Sequence, residues 1–288
     1  MNKIEKVYFD HNATTRVDDE VLDAMMPYFQ NKFGNPSSGH NLGIAGRQAI
    51  NQAREQVADS IEAQPSQVVF TSGGSEANNL FIQGVAGHLK NSRIIISAIE
   101  HPCVLRPAKE LAQSTNKECG LRQLIVDRSG RIIMSDVDKA LSEYPPNIVS
   151  VMLANNETGV IQEVANIAEK SRKLDALIHT DAIQAFGKIP VSFPSLNVHA
   201  MTLSSHKIYG PKGAAALIID KELVLRPQIF GGGHEGGLRS GTENVPAIVG
   251  FGKACELSKL RMEKTTIHVT KLRTHLEKRL IEMGAIIF

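Results

Sequence analysis

A single lysine stands in a setting that suits covalent chemistry. Lys207 follows an apolar run and lies within SSHKIYGPKG, with Ser204 and His206 beside it and a Gly-Pro-Lys-Gly turn after it. A lysine attacks a carbonyl only after it loses its proton, which partial burial and neighbouring cations favour. The segment predicts a lysine that binds an aldehyde also carrying a phosphate, although a lysine taken alone is usually a solvated surface charge.

A carboxylate and an amide precede this lysine in the chain. Asp181 ends another apolar run in HTDAIQ, and Gln184 follows three residues later in the sequence. A buried carboxylate needs a partner, and a pyridine nitrogen is one, because the carboxylate keeps the ring protonated as an electron sink. Gln184 could then hydrogen-bond a hydroxyl on the same ring. As an alternative, Asp181 could cap the N-terminus of a helix.

Two glycine-rich segments could bind an anion. In TSGGSEANN, residues 71–79, a strand runs through a glycine turn into a helix, whose N-terminus could cradle a phosphate together with the Ser75 hydroxyl. In GGGHEGGLRSGT, residues 231–242, the glycines predict unusual backbone angles or close approach to a ligand. Arg239 and Thr242 could reach a phosphate there, across a subunit boundary.

Two further polar residues follow apolar runs. His101, in IEHPCV, could stack on a cofactor ring and move protons, and alternatively it is a polar residue at a strand end. Asn156, in NNETGV, could hydrogen-bond a ring substituent. Cys103, two residues after His101, is interpreted as a small buried hydrophobe behind the ring.

These residues need elements that bring them together. Short β-rich runs predict strands at 68–71, 93–98, 121–126, 148–153, 176–180, 200–204 and 214–219. Helical patterns fall between several of them, and one helix face would carry Ile50, Ala53, Val57 and Ile61. A long helix is predicted from about 243 to 283. Strands that alternate with helices predict an α/β domain with a mainly parallel sheet, which binds ligands beyond the carboxyl ends of its strands.

Composition narrows the functional classes. The 288 residues are 42% hydrophobic, which is enough for one large core or for a main domain with a smaller lobe. A net charge of +2 without a long basic tract makes nucleic acid a poor candidate partner. The N-terminus lacks the apolar stretch of a secretory signal, and no apolar run is as long as a membrane span. The three cysteines lack the spacing of disulfides or a zinc site. A cytoplasmic protein without a bound metal is expected.

The order of these motifs, each after an apolar run, resembles the cysteine desulfurases of the fold-type I pyridoxal-phosphate enzymes, the class V aminotransferase group. FDHNATT at 9–15 and FGNPSSGH at 33–40 are similar to the N-terminal signatures of that family. The resemblance implies a three-layer α/β/α large domain with a mainly parallel sheet and a small C-terminal lobe that is largely missing. The implied divisions are an N-terminal segment contributing to the small lobe at 1–15, a cofactor-binding large domain at 16–245, and a helix leading into the truncated lobe at 246–288.

The resemblance also implies a role for each candidate residue. Lys207 would bind pyridoxal phosphate covalently and carry protons, and His101 would stack on its ring and take part in acid–base steps. Asp181 would pair with the ring nitrogen and Gln184 with the ring oxygen, while Asn35 would help to bind the substrate carboxylate. The remaining cofactor contacts would come from Gly74, Ser75, Asn156, Ser204 and His206 and, on the phosphate of the neighbouring subunit of a homodimer, from Thr242.

The implied reaction converts L-cysteine to L-alanine and passes the sulfur, as a persulfide on a protein cysteine, to an iron–sulfur scaffold or another sulfur acceptor. In the family that cysteine lies in the C-terminal lobe, and its motif is not matched by Cys103, Cys119 or Cys255. Two alternatives stay open. One is a related pyridoxal-phosphate lyase that acts on selenocysteine, and the other is a cofactor-binding remnant that lacks the persulfide cysteine.

Overall fold

The computed structural model describes residues 7–89, 91–114 and 120–286 of the chain. Its centre is a seven-stranded sheet. In chain order the strands are β1 Val68–Thr71, β2 Arg93–Ser97, β3 Gly120–Leu124, β4 Ile148–Ser150, β5 Leu177–Asp181, β6 Ala200–Ser204 and β7 Ala215–Ile219. The α-helices of the described residues are α1 Asp19–Gln30, α2 Asn41–Asp59, α3 Gly74–Ala86, α4 Pro102–Ser114, α5 Met134–Glu143, α6 Val164–Arg172, α7 Phe193–Leu196 and α8 Val245–Glu282.

The strands pair in the order β1-β7-β6-β5-β4-β2-β3. β7 runs antiparallel to both of its neighbours, and the other pairs are parallel, so six strands of the described sheet share one direction. Their carboxyl ends therefore meet at one edge of the sheet. The predicted α/β fold with a mainly parallel sheet is confirmed. β4 ends at Ser150 rather than at 153, although Val151 and Leu153 still donate backbone hydrogen bonds to β5.

Two separate cores cover the two faces of the sheet. Ile95 of β2 belongs to a core that it shares with residues of α2, α5, α6 and α8, whereas its neighbours Ile94 and Ile96 belong to a core that includes residues of α3 and α4. Successive side chains of a strand point to opposite faces, so helices lie on both sides of the sheet. This arrangement is the expected three-layer architecture, and each fully buried aliphatic side chain contributes about 1.5–3 kcal/mol to it.

The predicted amphipathic helix lies in α2 as far as Asp59, where α2 ends, and Ile61 follows it in a turn. Its four predicted core residues are all buried against the first core, namely Ile50, Ala53, Val57 and Ile61. Gly252 of α8 crosses α2 so closely that a Cβ atom there would approach the Cα of Ala53 at 2.6 Å. The close crossing of these two helices fixes where α8 leaves the domain.

The predicted long helix is α8, and the burial of its side chains changes along its length. The Asn244 side chain caps it by accepting from Ala247 N at 3.2 Å, and its first turns are buried as far as Leu257. From Leu260 onward its apolar side chains, Ile267 and Leu272 among them, are exposed. Within the described residues, the helices are each too short or too polar to cross a membrane.

Candidate active site

The segments that follow five of the strands surround one cleft of about 730 Å³. They follow β1, β2, β4, β5 and β6, and residues 9–13 of the N-terminal segment complete the lining. The structure brings together there most of the residues selected from the sequence, namely Gly74, Ser75, His101, Asn156, Asp181, Gln184, Ser204, His206 and Lys207. Because each follows the carboxyl end of a parallel strand, the topology explains their convergence.

Lys207 lies in the short helical turn Ser205–Lys207 that follows β6. Its Nζ donates to the backbone carbonyl of Ala13 at 2.9 Å and to that of Asn12. Burial lowers the pKa of this half-buried amine, and the carboxylates of Asp181 and Asp10 oppose the shift. A lysine with a lowered pKa is neutral for a larger share of the time and is a better nucleophile.

Asp181, the last residue of β5, is a buried carboxylate. Its Oδ1 accepts from the backbone N–H of Ile183 at 3.0 Å, and its Oδ2 accepts from Nδ2 of Asn78 at 2.8 Å. Burial raises its pKa, while the hydrogen bond from Asn78 acts in the opposite direction. The alternative from the sequence, a helix N-cap, accounts for Oδ1 at the start of a turn but not for the hydrogen bond from Asn78 to Oδ2.

His101, Cys103 and Asn78 form one hydrogen-bonded group beside Asp181. Nδ1 of His101 lies 2.8 Å from Sγ of Cys103 and also accepts from the Cys103 backbone N–H at 3.2 Å. Nδ2 of Asn78 donates to the same sulfur at 3.0 Å. Burial raises the pKa of the Cys103 thiol to about 12, and the charge of Asp181 adds to the shift. Cys103 is thus a partly buried thiol that keeps its proton, as its interpretation as a buried small residue suggested.

Glu100 holds the segment after β2 against the segment after β4. Its Oε1 accepts from the Ser97 hydroxyl at 2.5 Å and from the backbone N–H of Met152 at 2.7 Å. Its Oε2 is buried and has no hydrogen-bond partner among the described residues. Burial raises the pKa of Glu100 to about 8, so at neutral pH the group is mostly the uncharged acid.

Gln184 belongs to a tight turn after β5. Its Nε2 donates to the backbone carbonyl of Asn12 at 2.9 Å. Its Oε1 accepts from Nζ of Lys188 at 2.6 Å, and the same ammonium reaches Oδ1 of Asn12 at 3.2 Å. Burial lowers the pKa of Lys188 to about 8, with a further contribution from the charge of Lys207.

One end of the cleft offers donors for an anion. Gly74 and Ser75 are the first residues of α3, where unpaired N–H groups and the helix dipole favour negative charge. Ser204 and His206 line the cleft as well, and within the described chain the buried Oγ of Ser204 has no hydrogen-bond partner. Burial and the charges of Lys207 and Lys212 lower the pKa of His206. A Cβ atom on Gly74 would overlap Cδ1 of Ile183, which also lines the cleft.

These groups fit pyridoxal phosphate. The cleft combines an amine with a lowered pKa, a buried carboxylate on the β5 end, and a helix N-terminus with the unpartnered Ser204 hydroxyl. These are the partners required by an aldehyde, a ring nitrogen and a phosphate, respectively. No cluster of side chains suited to holding a metal ion occurs in the part of the chain that the structure describes.

Two predicted residues lie elsewhere. Asn35 is not among the residues that line the cleft, and its Oδ1 accepts from the backbone N–H of Ser37 at 2.9 Å. Thr242 lines a separate cavity of about 150 Å³ beside Arg239, whose Nε donates to Oε1 of Glu76 at 2.8 Å. The predicted contact of Thr242 with a neighbouring subunit therefore stays a prediction, as does the role of Asn35.

The glycine-rich segment 231–242 is held by a second ion pair besides that of Arg239 with Glu76. Glu235 accepts from both terminal nitrogens of Arg54, at 2.8 and 2.6 Å, and from the backbone N–H of Phe70 at 2.7 Å. Its side chain is only 3% exposed, and the Arg54 guanidinium lies 4.7 Å from the centre of the Phe70 ring. Glu235 therefore holds the glycine-rich segment against α2 and β1.

Sequence reasoning did not identify four residues at the site, namely Asn12, Asn78, Glu100 and Lys188. Asn78 belongs to the same helix as Ser75, but its link to Asp181 depends on how α3 packs against β6 and β7 of the sheet. Lys188 did leave a signal, because it lies four residues after Gln184, the spacing of neighbours on a helical turn. Asn12 falls within the FDHNATT segment, which was noted only as a signature.

Comparisons with known proteins agree with the geometry. The model of the class-V aminotransferase family matches residues 7–288. The chain is 42% identical over 284 residues to the cysteine desulfurase IscS of Dictyoglomus turgidum, covering 96% of this chain and 71% of that protein. It is 43% identical over 278 residues to a cysteine desulfurase of Sinorhizobium fredii, with the same two coverages of 96% and 71%.

Solved structures share the fold. A NifS-like protein superimposes with a TM-score of 0.93 at 40% identity, over 98% of this chain and 77% of that one. The structure of SspA in complex with cysteine superimposes with a TM-score of 0.83 at 39% identity, over 87% of this chain and 72% of that one.

Proposed function

The chain belongs to the class-V aminotransferase family and, within it, to the cysteine desulfurases. On this premise we propose that it binds pyridoxal phosphate and removes sulfur from L-cysteine, giving L-alanine. The observation that carries the proposal is the meeting of Lys207 and Asp181 in one cleft, because an amine of lowered pKa and a buried carboxylate are what the cofactor requires. The similar SspA structure, which contains cysteine, supports the choice of substrate.

The proposed roles follow from the chemistry of each side chain. Lys207 holds the cofactor covalently, and its Nζ, once free, carries the proton that leaves the substrate Cα. Asp181 holds a proton at the ring nitrogen, and Asn78 keeps the Asp181 carboxylate in place. When bound, pyridoxal phosphate supplies an electron sink for the charge left on the substrate carbon.

The anion end and the ring face complete the site. The backbone of Gly74 and the side chains of Ser75, Ser204 and His206 would hold the phosphate, because together they offer N–H and O–H donors at a helix N-terminus. His101 would cover the ring and move protons, and Asn156 and Gln184 would contact ring substituents. Asn35 is proposed for the substrate carboxylate, which would require a movement of its segment toward the cleft.

Sulfur transfer needs an acceptor thiol. The C–S bond of cysteine breaks, the sulfur joins the acceptor sulfur as a persulfide, and the acceptor's proton ends on the methyl group of alanine. Burial raises the pKa values of both Cys103 and Cys255, so neither described cysteine is mainly a thiolate at neutral pH. Cys119 lies outside the described residues. This observation favours, as the second candidate, a cofactor-binding chain whose acceptor thiol lies on another segment or protein.

The remaining assignments rest on the resemblance. We assign residues 16–245 to the cofactor-binding domain, residues 1–15 to a segment that contributes to a small lobe, and residues 246–288 to a helix leading into that lobe. A homodimer, in which Thr242 contacts the partner's phosphate, an iron–sulfur scaffold or carrier as sulfur acceptor, and a cytoplasmic location belong to the same proposal.

Alanine release tests the proposal directly. The chain is loaded with pyridoxal phosphate and given L-cysteine, with dithiothreitol as a reductant that can take up the sulfur. We expect alanine, and we expect it to disappear in Lys207→Ala but not in Lys221→Ala, a matched change of an exposed lysine. Cofactor binding without alanine would favour the second candidate, and absence of cofactor binding at any concentration would refute both.

A further inference from the structure

The turn after β5 carries a second lysine whose position has a consequence for Gln184. We propose that Lys188 is a positioning residue: it fixes the amide of Gln184 so that the cleft meets an N–H donor there rather than a C=O acceptor. The proposal rests on the proposed function, because it concerns the group that Gln184 contacts. It goes beyond that function by adding a residue that need not touch cofactor or substrate.

The backbone of the turn makes the two side chains neighbours. Phe186 N donates to the carbonyl of Ala182 at 2.8 Å, and Lys188 N donates to that of Ala185 at 3.1 Å, which makes a tight turn. The left-handed backbone of Gly187 interrupts helical geometry inside this turn, and the chain returns Lys188 to the side of Gln184. Nζ of Lys188 consequently reaches Oε1 of Gln184 at 2.6 Å without an extended loop between them.

The direction of the hydrogen bonds fixes the amide. An ammonium has three donors and no acceptor, so the atom of Gln184 that faces it must be the oxygen. The nitrogen then points the other way, where it donates to the Asn12 carbonyl at 2.9 Å. A flipped amide would set its N–H₂ against the ammonium and its oxygen against a carbonyl, and both contacts would be repulsive. Below its pKa of about 8, Lys188 is the ionised member of this arrangement, and charged hydrogen bonds are about twice as strong as neutral ones.

The surroundings hold Lys188 in this role. The side chain is partly buried, and its ammonium has a second acceptor in Oδ1 of Asn12 at 3.2 Å. Gly187, just before it, has a φ of +72°, and a Cβ atom there would lie 2.5 Å from Cγ2 of Ile208. The backbone at this point is therefore restricted to glycine by both conformation and space, which keeps Lys188 directed toward Gln184.

A donor at Gln184 should be visible in the absorption of the bound cofactor. An N–H that donates to the ring oxygen competes for that oxygen with the proton shared between it and the lysine nitrogen. Without this donor, the ring oxygen and the lysine nitrogen bind their shared proton more tightly. The pH midpoint of the absorption change of the bound cofactor therefore rises. A hydrogen bond of typical strength predicts a rise of about half to one pH unit.

The test is a double-mutant cycle read from this absorption midpoint. Lys188→Met removes a charge as well as a donor, and the missing charge alone would also raise the midpoint. Gln184→Ala separates the two causes. If Lys188 acts through Gln184, Lys188→Met raises the midpoint in the wild-type background and adds almost nothing in Gln184→Ala. Equal shifts in both backgrounds, or no shift at all, would overturn the proposal.

Two controls keep the outcome decisive. Lys188→Arg retains a cation that can only donate, so we expect its midpoint to stay within about a fifth of a pH unit of the wild type. A shift as large as that of Lys188→Met would contradict the inference, even if Lys188→Met itself failed to retain cofactor. A wild-type chain that shows no cofactor absorption would instead refute the proposed function, so the two failures are distinguishable.

Discussion

The sulfur of Cys103 lies 2.8 Å from Nδ1 of His101, and in the hydrogen bond between them the thiol is the donor. Asn78 already donates to the sulfur, and the thiol keeps its proton because burial raises its pKa to about 12. The S–H therefore points to Nδ1, which also receives the backbone N–H of Cys103. In the neutral ring the remaining proton is therefore on Nε2.

The buried, protonated state of the Cys103 thiol predicts that it is alkylated slowly. At pH 7.5 we expect iodoacetamide to alkylate Cys103 in the native chain roughly 100-fold or more slowly than it alkylates free cysteine, since only the thiolate reacts. Mass spectrometry of the peptide containing Cys103 follows the reaction, and the same chain in urea gives the unhindered rate. Fast native alkylation at Cys103 would reveal a thiolate and would make this residue a candidate sulfur acceptor.

Glu100 predicts how stability depends on pH. Its pKa of about 8 in the folded chain lies above the unfolded value of 4.5, so folding retains a proton that the unfolded chain releases. The stability linked to this group is complete below pH 4.5 and is lost as the pH rises toward 8. Between pH 5 and 8 the loss amounts to roughly 3 kcal/mol in the free energy of unfolding.

Glu100→Gln should remove that dependence. The amide keeps an oxygen for Ser97 and Met152 but has no proton to lose, so the variant should match the wild type at pH 5 and exceed it at pH 8. Urea unfolding at both pH values measures the difference. Glu143→Gln, a change of an exposed glutamate, is the matched control. Parallel curves for the wild type and Glu100→Gln would show that Glu100 is ionised when folded.

Gly74 predicts a steric effect on cofactor affinity. A Cβ atom at this position overlaps Cδ1 of Ile183, so Gly74→Ala should push that side chain into the cleft. Overpacking costs about 1–3 kcal/mol, which corresponds to about a 5- to 150-fold rise in the Kd for pyridoxal phosphate. Gly73→Ala is the matched control, because nothing lies within 4 Å of its Cβ position. Fluorescence titration measures the Kd values.

A second change distinguishes crowding from backbone effects. In Gly74→Ala, the further substitution Ile183→Ala removes the overlapping atoms and should return the Kd most of the way to the wild-type value. If the double variant binds as weakly as Gly74→Ala, the glycine is required for its backbone and not for space.

Breaking the Glu235–Arg54 ion pair should increase the mobility of segment 231–242 more than that of the rest of the chain. Glu235→Ala removes the carboxylate from the partly buried Arg54 guanidinium, which keeps the Val68 carbonyl as an acceptor, and this costs about 1–3 kcal/mol. We expect hydrogen exchange to accelerate most in 231–242. Lys259→Met breaks a pair whose side chains are 52% and 75% exposed and should cost less than about 1 kcal/mol. Unchanged exchange in 231–242 would show that its other contacts hold it.

The sequence pattern was sufficient to predict the strands of the sheet and part of the candidate site. Apolar runs located the strands. The rule that ligands bind beyond the ends of parallel strands predicted that Lys207 and Asp181 lie in one cleft. The pattern could not show that Asn78 bonds both Asp181 and Cys103, because those contacts depend on how α3 packs against β6 and β7 of the sheet. Nor could it show that Oε2 of Glu100 is left without a partner among the described residues, since that depends on burial between two strands.

The place of β1 in the sheet sets the order in which the site can form. β1 precedes the anion-binding turn but pairs, in the described sheet, with β7 alone. A ribosome adds the roughly 140 residues between these strands in about 7–30 s, during which β1 has no partner strand. Lys207 and its acceptor Asn12 are likewise 195 positions apart. The cleft that we propose for the cofactor therefore cannot be completed before β7 has been synthesised, and we expect cofactor uptake to come late in folding.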